Sequence, residues 1–310
     1  MTTERNLSVE AQERIAALST VPLTVREPTK NPFVAFNNII KELFARRYLL
    51  KLLVKRELTA RYKDSALGFV WALVKPLTQL LIYYLVIGKF LGAARSIDNF
   101  GVFIFAGLTV YGLFSDAVGQ MTESIVNNDG LIKKIYLPRE IFPISTLGSS
   151  LFNFGIQFGI LTVAAFVAHT ITWGPQLLYI LFSTLLIIIW ATGLGLMLSA
   201  WNVQLRDIGF MTEVILMLLM WFSPIVYSWT FVRDVLTGSA YQWLFQLYMD
   251  SPITIAVLGY QEAFWAHGSN GETPPDLALK TLIATLVGLV FLFLGQRVFA
   301  RHQANFAQEL

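Results

Sequence analysis

Residues 177–200 read LLYILFSTLLIIIWATGLGLMLSA, an almost wholly apolar run that decides the fold class. A hydrophobic run of roughly 20 residues can cross a bilayer as a helix, because about 1.5 Å of rise per residue matches a hydrocarbon core of about 30 Å. Across all 310 residues, 55% are hydrophobic and 14% are charged. Soluble domains carry about 25% charged residues. The composition therefore indicates that lipid is the main solvent of this chain.

Five further apolar runs repeat the pattern: Phe69–Leu91, Phe100–Met121, Ile141–Ala168, Ile208–Tyr227 and Leu277–Gly295. Together with Leu177–Ala200 they predict an all-α integral membrane protein with six transmembrane helices per subunit. Two shorter apolar stretches, Tyr241–Met249 and Ile253–Trp265, flank Pro252. They are too short to span, so we predict an outer re-entrant hairpin before the last span, a path tolerated only where protein buries it.

Lysine and arginine are unevenly divided between the two sets of connecting segments. With the N-terminus placed inside, 18 of the 23 basic residues fall in inner segments and three fall in outer loops. Because basic loops stay on the cytoplasmic side, we expect both termini to be cytoplasmic. We predict a cytoplasmic N-terminal extension at 1–43, a single transmembrane domain at 44–299 and a cytoplasmic tail at 300–310. Residues 1–30 are polar and do not resemble a signal peptide.

The segment Phe44–Lys63, FARRYLLKLLVKRELTARYK, mixes apolar and basic residues directly before the first span. On a helix, a basic row at four-residue spacing falls roughly opposite an apolar set: Arg47, Lys51 and Lys55 against Leu49, Leu53 and Ala60. We predict an N-terminal amphipathic interface helix whose cations face anionic lipid headgroups. It is either a juxtamembrane anchor only, or an interface helix that also touches a cytoplasmic partner.

The inner loop Asn127–Pro143 reads NNDGLIKKIYLPREIFP. Asn128 or Asp129 can cap a short helix by accepting its free N–H groups, and Pro138 disfavours helix at the residue before it. We therefore predict a helix of about two turns over Gly130–Tyr136.

This short helix has two chemically different sides. One side is apolar and the other basic: Leu131, Ile132, Ile135 and Tyr136 against Lys133 and Lys134. An amphipathic helix of this kind suits a groove on another protein. The alternative is that its apolar side packs against helices of this same chain.

Ionisable residues inside the spans are few. Asp116, Glu123 and Glu213 lie near the predicted cytoplasmic ends, and no carboxylate or histidine relay occupies the middle of a span. This pattern counts against a proton-coupled carrier, since intramembrane charge usually marks such a pathway. The chain also has no cysteine and no G-x-x-x-x-G-K-[ST] phosphate loop, so we expect no catalytic residue, no metal site and no ATP site in it.

Aromatic residues are abundant in the spans and outer segments. Aromatic rings stack on sugar faces, although Trp and Tyr also gather at membrane interfaces and Phe faces lipid. The candidates for glycan contact are Tyr83, Tyr84, Trp221, Phe222, Tyr227 and Trp229.

Four motifs, in one order along the chain, resemble the permeases of polysaccharide-export ABC transporters, the type-2 ABC exporter family. The first lies in Arg56–Leu80, RELTARYKDSALGFVWALVKPLTQL, and the second is the loop Asn127–Pro143. The third is Arg206-Asp207, and the fourth lies in Phe222–Tyr227, FSPIVY. The positions that match the family's patterns are Arg61, Tyr62, Ser65, Leu67, Gly68, Trp71, Pro76 and Leu77 in the first, and Asn128, Leu131, Ile132, Lys134, Pro138, Arg139 and Glu140 in the second.

The resemblance implies a homodimer of this chain with two copies of a nucleotide-binding ATPase subunit, which would hold ATP and Mg²⁺. The loop helix would then be the coupling helix, formed by Asn128, Gly130, Leu131, Ile132, Lys133, Lys134, Ile135 and Tyr136. The implied cargo is a polyprenyl-diphosphate-linked glycan such as O-antigen, teichoic acid or galactan, moved across a bacterial cytoplasmic membrane, with no nucleic-acid partner. Basic residues at the cytoplasmic gate would attract the diphosphate: Arg56, Arg61, Lys63 and Lys75.

The outer hairpin departs from the family pattern. The family's N-P and Y-R pairs are replaced by Ser251-Pro252 and Tyr260-Gln261, so a role for the family's arginine does not transfer directly. Three alternatives remain open: an ABC exporter of drugs or small lipids with the same fold, an integral membrane glycan-processing enzyme, and a passive channel. The enzyme would need a carboxylate or metal constellation, which the sequence does not offer.

Overall fold

The computed structural model describes residues 32–62, 70–95, 97–134, 137–171, 173–237, 241–265 and 273–310. Every regular element in these ranges is helical, which confirms the all-α prediction. The α-helices are α1 (Pro32–Ala45), α2 (Arg47–Tyr62), α3 (Trp71–Tyr83), α4 (Phe100–Glu123), α5 (Asp129–Ile132), α6 (Ile141–Val167), α7 (Leu178–Gln204), α8 (Asp207–Trp221), α9 (Trp229–Leu236), α10 (Gln242–Met249), α11 (Pro252–Trp265), α12 (Leu277–His302) and α13 (Phe306–Glu309). Two compact units divide the chain, Met1–Ile39 and Ile40–Leu310, and every contact described below lies within the second.

Helix α4 is the centre of the bundle. Most of its residues are apolar and buried, as expected of a helix surrounded by other helices. Helices α6, α7 and α11 pack directly against it. The core of the protein is therefore the seam between α4 and these three neighbours.

Helix α12 lies along α7 at unusually close range. A Cβ atom added at Gly295 would collide with the carbonyl oxygen of Gly193, so the two backbones touch where both residues lack side chains. Nearby, the Trp190 indole N–H donates to the carbonyl of Ala284 at 2.9 Å. Small residues at helix contacts are the usual means of close packing in membranes.

Five helical stretches in the described ranges are long and apolar enough to cross a membrane: Trp71–Phe90, Phe100–Glu123, Ile141–Val167, Pro175–Gln204 and Leu277–Asn305. The first consists of α3 and a π-helical continuation, Tyr84–Phe90. These stretches correspond to five of the six predicted spans. Phe69, where the first span was predicted to begin, lies outside the described residues.

The remaining predicted span, Ile208–Tyr227, contains the shorter helix α8, which has 15 residues. At about 1.5 Å per residue it rises about 22 Å, less than the hydrocarbon core of about 30 Å. It ends at Trp221, just before Ser223, where Pro224 disfavours helical backbone. Six spans therefore stay a prediction, and α8 is the helix on which the count depends.

Three short helices, α9, α10 and α11, lie between α8 and α12. Asp250 and Ser251 separate α10 from α11, and Pro252 is the first residue of α11, where its missing N–H is tolerated. Helix α11 is buried along nearly its whole length between α4 and α7. Both short apolar stretches are helical as expected, α9 was not predicted, and the re-entrant path of the pair stays a prediction.

The segment predicted as one interface helix, Phe44–Lys63, is divided by a turn at Arg46 between α1 and α2. Helix α2 packs on α6, with Leu53 buried and Leu49 against the core. Its basic row is exposed as predicted: Arg47, Lys51 and Lys55. Ala60 lies in the exposed last turn of α2, and its place on the apolar side of an interface helix stays a prediction.

Candidate functional site

The end of the bundle where α4, α7 and α12 finish and α6 and α8 begin is called the basic end here. Two hydrogen bonds connect the ends of α4, α7 and α8. Asn202 Nδ2 donates to the Thr122 carbonyl at 3.1 Å, and the Gly209 N–H donates to Asn202 Oδ1 at 3.0 Å. The loop between α4 and α6, with Lys133 and Lys134, projects from this end.

The helix in this loop is shorter than predicted. A 3₁₀ turn, Val126–Asn128, precedes the single turn α5, which begins at Asp129. The Asp129 carboxylate accepts the N–H of Gly130 at 2.5 Å, whereas the side chain of Asn128 makes no capping bond. Ile135 and Tyr136, the predicted second turn, lie outside the described residues.

One side of this loop faces the chain itself. Asn128 and Ile132 are 7% and 8% exposed, and Leu131 packs against the core. This burial corresponds to the alternative that the sequence left open, in which the apolar side contacts helices of the same chain. The outward side is polar, with Asp129, Gly130, Lys133 and Lys134 exposed. A partner that docks at α5 would therefore meet these four residues.

Asn128 is held from two directions. Its Nδ2 donates to the Ser124 carbonyl at 2.8 Å, and its Oδ1 accepts a hydrogen bond from the Arg56 guanidinium. Arg56 also pairs with Glu57, with 3.6 Å between Nη2 and Oε2. Helix α2 is thus connected to the loop through one side chain, although 72 positions separate the two residues.

The four basic residues predicted for the gate do not form one cluster. Arg56 contacts the loop, and Arg61, five positions later, points to another side of α2 because five residues turn a helix by about 140°. Arg61 pairs with Asp116 on α4 at 3.7 Å. Lys75 is exposed in a separate groove of about 420 Å³ on the surface of α3. Lys63 lies outside the described residues.

Asp116 belongs to a polar cluster that the sequence analysis missed. Asn153 Nδ2 donates to its Oδ2 at 3.1 Å, and Gln120 Nε2 donates to its Oδ1. Gln120 in turn accepts from the Ser149 hydroxyl at 3.0 Å. The four-residue spacing of polar residues on two helices could have indicated this cluster. Ser149 and Asn153 on α6, like Asp116 and Gln120 on α4, are four residues apart and share one helix face.

A cavity of about 320 Å³ lies next to this cluster, among α3, α4, α6 and α8. Its polar lining is formed by Gln79, Ser115 and Gln157, and its apolar lining includes Pro76 and Met220. Polar side chains at membrane depth are costly unless they face protein or water. The cavity is therefore a place inside the bundle where a few polar side chains face a mainly apolar lining.

The predicted glycan-contacting aromatics differ in exposure. Trp221 and Phe222, at the end of α8, are 49% and 68% exposed. Tyr227 donates to the Trp221 carbonyl at 2.8 Å, and Trp229 is buried with Arg233 over its ring at 5.2 Å. The remaining pair, Tyr83 and Tyr84, is half-buried. Trp221 and Phe222 are thus the pair most open to a ligand.

Gln261, in the segment where the sequence departs from the resemblance, is bonded to the motif Phe222–Tyr227. Its side chain is 4% exposed, and Nε2 donates to the carbonyl of Pro224 at 2.7 Å. A Cβ atom at Gly107 would lie 3.2 Å from Ile225, so α4, α11 and the turn after α8 meet at one point.

A buried carboxyl group lies at the basic end, just before α6. Glu140 is 4% exposed, and neither its Oε1 nor the side-chain amide of Gln296 has a hydrogen-bond partner in the described part of the chain. Burial raises the pKa of Glu140, and the charge of Glu42 acts in the same direction. The neighbouring Arg139 lies over the ring of Phe306 at 5.8 Å, which brings the C-terminal segment to the same place.

Comparison with known proteins places this architecture in a family. Residues 48–265 match the ABC-2 type transporter family. The O-antigen export system permease protein RfbA of Myxococcus xanthus is 28% identical over 273 residues, which cover 88% of this chain and 99% of that protein.

Two further relatives have related names. The O-antigen export system permease protein RfbA of Klebsiella pneumoniae is 27% identical over 258 residues, covering 81% of this chain and 94% of that protein. The polysialic acid transport protein KpsM of Escherichia coli is 28% identical over 144 residues, 46% of each chain. The resemblance stated from the four motifs is confirmed: this chain belongs to the ABC-2 type transporter family.

Proposed function

We propose that this chain is the membrane-spanning subunit of an ATP-driven exporter that moves a polyprenyl-diphosphate-linked polysaccharide outward from the cytoplasmic side. The observation that carries the proposal is the loop at the basic end, which is held by Arg56 and which exposes Asp129, Gly130, Lys133 and Lys134 among its described residues. The names of the relatives, O-antigen export permeases and a polysialic acid transport protein, support a polysaccharide cargo such as O-antigen, teichoic acid or galactan.

The proposed energy source is a separate nucleotide-binding subunit, which holds ATP and Mg²⁺. Its docking site is the coupling helix: Asn128, Gly130, Leu131, Ile132, Lys133, Lys134, Ile135 and Tyr136. Among the described residues of this helix, the buried Asn128 and Ile132 hold it to this chain, and the exposed Asp129, Gly130, Lys133 and Lys134 are available to the ATPase subunit. Asn128 then transmits movement of that contact to α2 through Arg56.

The proposed assembly contains two copies of this chain. Helix α3 has no buried residue, and its exposed surface includes Lys75, Thr78 and Gln79. Polar and charged side chains within spans face protein or water rather than lipid. This surface therefore suits a contact with a second copy, or the transport path between the two copies.

The proposed location is a bacterial cytoplasmic membrane, with the basic end and both termini on the cytoplasmic side, in agreement with the distribution of Lys and Arg. There, Arg56, Arg61, Lys63 and Lys75 attract the diphosphate of the lipid carrier. Trp221 and Phe222 are the aromatics best placed to contact the glycan, since both are exposed.

Co-purification with the ATPase subunit encoded beside this chain tests the proposal. The test variant is Lys133→Glu plus Lys134→Glu, because both side chains are exposed on the loop. The matched control, Arg206→Glu plus Arg301→Glu, reverses two exposed charges at the same end outside the loop. We expect the wild-type and control chains to retain the ATPase and the test variant to lose it. The same test variant should accumulate polyprenyl-diphosphate-linked glycan inside the cell.

Two outcomes would contradict the proposal. Equal retention of the ATPase by all three chains would show that the loop is not the docking element. ATPase stimulation by small hydrophobic molecules, without accumulation of lipid-linked glycan in the test variant, would favour an exporter of drugs or small lipids instead.

A further inference from the structure

Arg61 and Asp116 form an ion pair between α2 and α4. Arg61 Nη1 lies 3.7 Å from Asp116 Oδ2, and the side chains are 32% and 35% exposed. Asp116 lies seven residues before the end of α4, about 10 Å from the basic end at 1.5 Å per residue. The pair is therefore inside the bundle yet reachable from its basic end.

The two members of the pair are held very unequally. Asp116 receives hydrogen bonds from Asn153 and Gln120, so its carboxylate keeps two amide donors when Arg61 is removed. Arg61 lies in the exposed last turn of α2, and Asp116 is the acidic group that it contacts in the described part of the chain. Arg61 is thus the member that can leave at low cost.

We propose that Asp116 is an internal competitor for Arg61, and that an anionic diphosphate headgroup arriving at the basic end displaces it. The proposal rests on the proposed function for the presence of a diphosphate, and it adds the residue that sets how tightly this group is bound. A diphosphate offers a guanidinium two parallel charge-assisted hydrogen bonds, which are stronger than a single pair at 3.7 Å.

Displacement has a mechanical consequence. With Arg61 on Asp116, the last turn of α2 is joined to α4 and, through Asn153, to α6. With Arg61 on the headgroup, that turn is released while the Asp116–Asn153–Gln120 cluster stays intact. Arrival of the headgroup therefore separates the last turn of α2 from α4.

The test measures binding of geranylgeranyl diphosphate to the full-length chain in mild detergent, with any subunit that accompanies it. The variants are Asp116→Asn and Arg61→Gln. The control is Lys51→Gln, which removes one exposed cation from the same helix. Inorganic diphosphate and geranylgeraniol are the companion probes, and thermal unfolding checks that each variant is folded.

The two sides of the pair should respond in opposite directions. Removing the competitor in Asp116→Asn should tighten binding about two- to fivefold, the range expected for one partly exposed ion pair. Removing the cation in Arg61→Gln should weaken binding about tenfold or more, since it deletes charge-assisted hydrogen bonds. Lys51→Gln should leave the dissociation constant unchanged, and geranylgeraniol binding should not respond to any variant.

A purely structural ion pair would give the contrary result, with both variants weakening binding or neither changing it, and either outcome would overturn the proposal. If Asp116→Asn does not fold, Asp116→Ser carries the same expectation of tighter binding. If Asp116→Asn tightens and Arg61→Gln weakens the binding of both geranylgeranyl diphosphate and inorganic diphosphate, the diphosphate alone is the ligand. If the two variants change the binding of geranylgeranyl diphosphate only, the ligand is the whole prenylated lipid. Both results support displacement. The assay requires no ATP hydrolysis or export, so its failure leaves the exporter proposal to be judged by co-purification.

Discussion

The side chain of Glu140 is a carboxyl group buried at the basic end of the bundle. It lies outside the spanning helices, next to the start of α6, and its Oε1 is buried without a partner. Because burial raises its pKa, the folded chain holds this proton to a higher pH than the unfolded chain does. The stabilising effect of the protonated group is full below the ordinary glutamate pKa and is lost as pH rises through the raised value.

Substitution Glu140→Gln tests this linkage. An amide cannot ionise, and it can donate to the unpaired Gln296 Oε1, so we expect the variant to unfold at a higher temperature than wild type at neutral and alkaline pH. Wild type should gain stability on acidification through the raised pKa of Glu140 toward the ordinary glutamate pKa, and the variant should gain less. Glu309→Gln, an exposed tail position, is the control. A wild-type chain that becomes more stable as pH rises would refute the argument.

At the scale of helices, the contact between α7 and α12 depends on two glycines. A methyl group at Gly295 meets the backbone of Gly193, and backbone cannot move aside as a flexible side chain can. We expect Gly295→Ala to lower the stability of the detergent-solubilised chain by about 1–3 kcal/mol, the usual cost of overpacking.

Helix α6 supplies the matched control for that substitution. A Cβ atom at Gly155 meets nothing within 4 Å. Gly155→Ala should therefore be neutral or stabilising by up to about 1 kcal/mol, because alanine loses less backbone entropy than glycine on folding. Thermal unfolding measures the stability of Gly295→Ala and Gly155→Ala. If both substitutions change the stability equally, α7 and α12 can move apart at Gly295 without loss of stability.

For the whole molecule, the proposed pairing of two copies can be tested by crosslinking introduced cysteines. The chain has no cysteine of its own, so no native thiol reacts with the crosslinker. Thr78 lies on the exposed polar surface of α3, and Val290 lies on α12 with 61% of its surface exposed. If two copies meet along α3, Thr78→Cys should be crosslinked to a dimer by a short bis-maleimide in membranes, whereas Val290→Cys should stay monomeric. Crosslinking at Val290 but not at Thr78 would place the contact on α12 instead.

Local physics explains why so much was predictable. A hydrophobic run must be as long as the bilayer is thick, and helical backbone is obligatory in lipid, so five spans and the all-α class follow from windows of about 20 residues. Family membership likewise follows from four short motifs in one order. A local rule also bears on the sixth predicted span: Pro224 disfavours helical backbone at Ser223, and α8 ends at Trp221 after 15 residues, so this span stays a prediction.

Packing decided the rest. Contacts between distant residues include the Arg56–Asn128 bond and the Arg61–Asp116–Asn153 cluster. The partners lie up to 72 positions apart, so no local window of sequence contains both. The inward burial of Ile132 likewise depends on other helices. Which side of a short amphipathic turn faces outward depends on the neighbours available, and those are set only when the helices assemble around α4. The sequence alone therefore determined the class, the spans and the family, and the tertiary structure determined which charges meet.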